Sequence, residues 1–225
     1  NRPSSEAYYS NLVVIYRVVA ISLAAPFCAA MASAGDKTAA LICQQLLDVI
    51  CSDIFYLKSR IGKSVANNHL LADRFAAWFI AACYPAVAGA ADVETLEQRW
   101  LDELFRQFQD DGTNFEQSTH YHELGCEMAA LYLVVSLRSG KRPAQRPLRH
   151  IGKMMRFQAA LSDERGGSFA LGDSTDDALL PLDASACSGG ATWRILHAKL
   201  FGSSLADTPH QAKGAERAFW LIAAM

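Results

Sequence analysis

Apolar residues recur at three- and four-residue spacing through six stretches, roughly 12–33, 38–60, 69–84, 93–109, 115–138 and 146–161, with no convincing period-two run. That spacing gathers the apolar side chains of each stretch on one helical face, whereas a half-buried strand needs strict alternation. β-Branched residues are few outside the first stretch, so the fold class expected is all-α. Gly35-Asp36, Ile61-Gly62-Lys63, Gly89 and Asp110-Asp111-Gly112 supply the breaks between helices. Helices of similar length with short connections pack antiparallel, as in bundles, solenoids and helical toroids. No residue motif returns at a fixed period, which argues against a consensus solenoid.

Half of the 225 residues are apolar, enough for a substantial core, and a net charge of −2 gives no global field for nucleic acid or an anionic membrane. The six cysteines (Cys28, Cys43, Cys51, Cys83, Cys126, Cys187) show no C-x-x-C pair and no zinc-knuckle spacing. They are expected to be buried as small hydrophobes. Neither a G-x-S-x-G elbow, a Walker loop nor a dinucleotide fingerprint is present, which removes the common hydrolase and nucleotide classes. The apolar segment "VVAISLAAPFCAAMASAG" (18–35) passes for a membrane span or signal core, but Arg17 precedes it and Pro26 interrupts it. A buried helix is the expectation. The chain begins without methionine and stops inside "AFWLIAAM", as a piece of something longer would.

Two stretches differ from the rest. "SGKRPAQRPLR" (139–149) reads as an exposed basic connection entering the next helix. Residues 163–192 are rich in Gly, Ser and Asp and read as a long irregular segment, a kind that is often functional. Its aspartates do not match EF-hand spacing, and no metal is expected.

Polar residues concentrate at two helix starts. "SVANNHLLAD" (64–73) sets Asn67, Asn68 and His69 ahead of the apolar run Leu70, Leu71, Phe75, Trp78 and Phe79. A helix needs one capping amide, so one amide and the imidazole are surplus. In "QFQDDGTNFEQSTHYHELG" (107–125), Thr113 and Glu116 form the pattern of a capping box, and Ser118, His120, Tyr121 and His122 crowd the turns before Met128, Leu131, Tyr132 and Val135. On one helix His120 and His122 point to opposite sides and cannot share a metal ion, while Gly125 leaves room one turn beyond Tyr121. Each residue alone also has an ordinary account, as cap, buried hydrogen-bonded histidine or amphipathic core aromatic.

"NNHLLA" (67–72), the aromatic helix ending at Tyr84-Pro85, "QFQDDGTNFEQSTHYH" (107–122) and "FALGDSTDD" (169–177) together resemble the α-helical domain of heparinase II/III-like polysaccharide lyases and their alginate lyase relatives. The likeness spans about residues 60 to 180, with Asp73 and Ala178 departing from the residues usual in the pattern. It implies one incomplete (α/α) toroid domain over 1–225, a C-terminal β-sandwich as partner domain beyond this chain, and a bacterial periplasmic or secreted setting. It also implies β-elimination of an acidic, uronic-acid-containing polysaccharide, with no cofactor, no nucleic acid and no membrane partner. In that chemistry the proton beside the uronate carboxylate is lost, and donors must neutralise the developing charge.

Carried over by the resemblance, Asn68 binds the carboxylate, His69 assists or acts as base, and Tyr121 delivers the proton to the leaving oxygen. In some geometries Tyr121 is also the base, which requires nearby positive charge. Asn67, Glu116 and His122 are the accompanying substrate-side residues, Asn67 as cap and the other two orienting Tyr121 and its helix start. His150 and Arg156 are further candidates for a cleft. The heads of the helices at 69 and 115 are expected to meet at one hollow. Three competing readings are a glycan-binding toroid without turnover, an unrelated helical interaction protein, and a glycoside hydrolase using two carboxylates among Asp110, Asp111 and Glu116.

Overall fold

The computed structural model describes residues 10–89, 92–163, 169–174, 178–180, 190–202 and 221–222. Among these, eight helices follow in order: α1 (Asn11–Ser33), α2 (Lys37–Lys58), α3 (Asn68–Cys83), α4 (Pro85–Ala88), α5 (Val93–Gln107), α6 (Thr119–Arg138), α7 (Gln145–Ala160) and α8 (Gly190–Phe201). The protein is all-α: no strand occurs among the described residues, and an isolated bridge joins Phe108 to Asn114. The four glycines of the expected breaks, Gly35, Gly62, Gly89 and Gly112, all take positive φ. The chain divides into two compact units, Asn1–Trp100 and Leu101–Met225.

In the first unit α1 and α2 form a hairpin turned at Gly35, where Asp36 caps α2 by accepting from the Thr38 and Ala39 N–H groups. Arg17 donates twice to Asp53 at 2.6 Å, joining the two helices through a carboxylate with no exposed surface. Burial in α1 is confined to Val14, Ile15, Val18, Val19 and Ile21. The expectation of a buried helix over 18–35 therefore holds for its first turns alone. Beyond them Phe27 and Met31, with Leu41, Ile42 and Leu47 across on α2, are exposed. Pro26 lies inside α1 without ending it. Both helices are long and apolar enough to cross a membrane.

α3 buries Phe75, Trp78 and Phe79; Phe75 stacks on Phe79 at 5.5 Å and meets Trp100 of α5 edge-on at 5.8 Å, and Trp78 stacks on Trp100 at 6.0 Å. Pro85 cannot continue α3 and starts the single turn of α4. Buried Asp73 accepts from the Gly62 N–H at 2.8 Å and from Asn11 at 3.0 Å. This carboxylate ties the turn before α3 to the start of α1.

In the second unit α6 is buried on nearly every side. Its acidic residues are matched by donors: Trp193 Nε1 donates to Glu123 at 3.3 Å and the Leu179 N–H to Glu127 at 2.8 Å. Unpaired charges there would carry a large desolvation penalty. α7 packs on both α6 and α8. The helix expected from 115 starts four residues later, and α8 arises at the end of the segment read as irregular. The basic stretch is exposed at Lys141, Arg142, Arg146 and Arg149, with the Arg146 guanidinium 4.3 Å above the Phe105 ring.

Among the described cysteines only Cys126 is buried; Cys28 and Cys43 are half-buried and Cys51 and Cys83 exposed, which corrects the expectation of general burial. The exposed pair lies on α2 and at the end of α3, turned away from buried neighbours Ile50 and Ile80 on the same helices. Cys187 lies outside the described residues.

Candidate functional site

The first unit assembles Asn67, Asn68 and His69 at the head of α3. Asn67 is in extended conformation, and its Oδ1 accepts from the His69 N–H at 3.0 Å, so it is the N-cap. Asn68 is the first helical residue and its side chain is buried, while His69 is half-buried. The cap therefore accounts for one of the three residues. Leu70 and Leu71 behind them anchor the turn in the core.

The second unit assembles Glu116, Tyr121 and His122 around the head of α6. The Thr113–Glu116 capping box does not form. Asp111 Oδ1 takes the Thr113 N–H at 2.9 Å and its hydroxyl at 2.8 Å, and Asn114 Oδ1 takes the Glu116 N–H at 2.8 Å. These short Asx-type bonds satisfy the backbone in a turn and compete with a helix start there. They also hold the Asp111 carboxyl below its ordinary range, which commits Asp111 to the turn rather than to an acid–base pair. Gln117 then takes φ 56°, and Ser118 caps α6 by accepting from the Tyr121 N–H at 3.1 Å. Glu116 is half-buried beside this turn.

Tyr121 sits in the first turn, half-buried, with its ring edge-on to His120 at 5.6 Å. Its hydroxyl donates to Asp173 Oδ2 at 2.7 Å. His122 points the other way: it is buried, its Nε2 meets the Gly112 carbonyl at 2.7 Å, and its ring packs between Phe108 and Phe157 at 5.2 and 5.0 Å. Because a carbonyl only accepts, Nε2 carries the proton. Burial pushes the His122 pKa below its ordinary 6.5, so the ring is held neutral. His122 thus fixes the turn at Gly112 rather than touching Tyr121. The space expected at Gly125 is filled, since a Cβ there would lie 2.3 Å from Phe108 Cζ.

Beside this helix start lies a pocket of about 540 Å³ lined by polar Gln109, Asn114, Gln117, Ser118 and Thr119 together with Phe115, Phe157 and His122. Amides, hydroxyls and aromatic rings in one concavity suit a polar ring-shaped ligand. Of the other cleft candidates, His150 is buried edge-on against Phe105 at 4.9 Å and Arg156 is exposed. Burial lowers the His150 pKa.

Asp173 is the site residue that local sequence reasoning did not single out; Ser118, named there among the polar residues at the helix start, is the N-cap. Asp173 lies 52 positions from Tyr121, so no helical spacing links them; the one signal was the Gly172-Asp173 block within the family likeness. No family model, curated protein or solved structure matches this chain.

Proposed function

We propose that this chain is the helical toroid domain of a polysaccharide lyase acting by β-elimination on a uronic-acid-containing glycan, outside the bacterial cytoplasm and together with a C-terminal β-sandwich. Asn68 hydrogen-bonds the uronate carboxylate, His69 removes the adjacent proton, and Tyr121 protonates the leaving glycosidic oxygen. The observation that carries this reading is the environment of the Tyr121 hydroxyl. The hydroxyl has a carboxylate as its acceptor at 2.7 Å, and the neighbouring Ser118 and Thr119 of the same helix start line the pocket. To protonate the leaving oxygen the hydroxyl turns its one proton from Asp173 to the substrate, and His69 is the base. The surplus of Asn68 and His69 over the cap made by Asn67 supports the same reading.

The test is turnover of alginate, heparan-type glycans and bacterial exopolysaccharides by the intact protein, followed by the ultraviolet absorbance of new unsaturated uronate ends. Tyr121→Phe is expected to lower kcat by about 10²–10⁴-fold, the range for loss of a general acid. Asn68→Ala is expected to lower it by about 10²–10³-fold, as loss of a donor to developing charge does. A parent that cleaves one of these glycans and a Tyr121→Phe variant that does so equally fast would exclude the role given to the phenol.

A further inference from the structure

The segment carrying Asp173 is fastened to the first turn of α6 by more than one side-chain contact. The Thr119 N–H donates to the Leu171 carbonyl at 3.0 Å, and the Leu171 N–H returns a bond to Thr119 Oγ1 at 3.1 Å. Ser118 Oγ donates to the Asp173 carbonyl at 2.6 Å while accepting from the Tyr121 N–H. One hydroxyl therefore both caps the helix and anchors the segment. Between these points Gly172 takes φ 71°, and its missing Cβ would fall 2.6 Å from the Gln117 carbonyl oxygen. Only glycine lets the two backbones approach that closely. Asp173 itself is exposed, so burial does not hold its carboxylate; the pinned backbone on either side of it does.

We propose that Asp173 is a positioning residue for Tyr121, with 171–173 acting as a backbone strap that sets the carboxylate against the phenol. The hydroxyl proton of a tyrosine turns freely about its C–O bond, and a half-buried ring leaves that rotation open. A charge-assisted hydrogen bond to a carboxylate of fixed position holds the ring and the phenol oxygen in place until the proton turns to the substrate. Asp173 acts through Tyr121: its contact is with the phenol hydroxyl and not with the substrate. This rests on the lyase reading for what the hydroxyl then does, whereas the pairing itself stands independently of it.

Two measurements on the intact protein test the proposal. In the first, kinetics on whichever uronate glycan the wild type cleaves, Asp173→Ala is expected to lower kcat about 10–100-fold with KM within about 3-fold, the signature of a misplaced catalytic group. Asp173→Asn keeps an acceptor oxygen of the same shape and is expected to stay within about 3-fold of wild type in kcat. In the second, carbon-13 NMR of ring-labelled tyrosine, with Tyr121 assigned by its loss in Tyr121→Phe, the Tyr121 Cζ signal is expected to move in Asp173→Ala and to move less in Asp173→Asn. Wild-type kcat in Asp173→Ala, equal losses in both Asp173 variants, or an unmoved Tyr121 signal in Asp173→Ala would each overturn the proposal. A wild type that cleaves none of the glycans would instead defeat the lyase reading, and the NMR signal would still decide the pairing.

Discussion

Replacing Gly125 by alanine sets two effects of opposite sign against each other in the middle of α6. Helix propensity alone favours alanine by about 1 kcal/mol, because glycine loses more backbone freedom. Against it, the new Cβ would lie 2.3 Å from Phe108 Cζ and 2.7 Å from Cε2. The Phe108 ring is 1 % exposed and packs on His122, whose Nε2 bond holds the Gly112 turn, so it has no open direction of retreat. Overpacking of this kind costs about 1–3 kcal/mol, and contacts this short belong at the upper end. The net expectation is destabilisation by about 2 kcal/mol, or a fall in Tm of about 4–8 °C for a chain of this size. Thermal unfolding followed by circular dichroism measures it. Adding Phe108→Leu, which removes the atoms in the way, is expected to show a favourable coupling of at least about 1 kcal/mol. A Gly125→Ala protein as stable as wild type would refute the packing argument. If such a protein lost glycan binding instead, Gly125 would be the ligand clearance that the sequence suggested.

Two further outcomes are expected. Arg17→Ala leaves the Asp53 carboxylate buried without its main partner, and breaking a buried pair in this way costs about 3–5 kcal/mol; a denaturant midpoint equal to wild type would contradict the assignment. His122 has a folded pKa below its ordinary 6.5, so below that pH the unfolded chain binds a proton that the folded protein refuses. Its contribution is full above 6.5 and is lost as pH falls below that value towards the lowered pKa, with His150 shifted in the same direction. Denaturation between about pH 7.5 and pH 5 should show a shallower loss in His122→Gln than in wild type, and an identical slope would count against a neutral buried His122.

The helices were legible because their apolar periodicity is long and their breaks contain glycine, and Gly35, Gly62, Gly89 and Gly112 do take the backbone conformation that such breaks need. The start of α6 was misread because a T-x-x-E pattern is ambiguous. Asp111 and Asn114 satisfied the same N–H groups locally, and Ser118 became the cap. The exposure of distal α1 was invisible, since periodicity says which face is apolar but not whether anything covers it. Within the candidate site, a capping amide at 67 or 68 was readable from position alone, and the structure gives the cap to Asn67. His122 was misplaced because its partner is a carbonyl ten residues back. Asp173 could not be found by spacing at all, because it reaches Tyr121 through a strap whose geometry depends on Gly172 meeting the Gln117 backbone.

The uneven burial of the α1–α2 hairpin sets how it opens. Unwinding the turns around Phe27, Met31, Leu41 and Ile42 brings little fresh apolar surface into water, because those side chains are already exposed. Parting Val18 from Ile54 would first have to undo the Arg17–Asp53 lock and wet a dry seam. The two ends of one hairpin therefore differ in local stability, and amide hydrogens near its tip exchange with solvent through small fluctuations that leave the base shut.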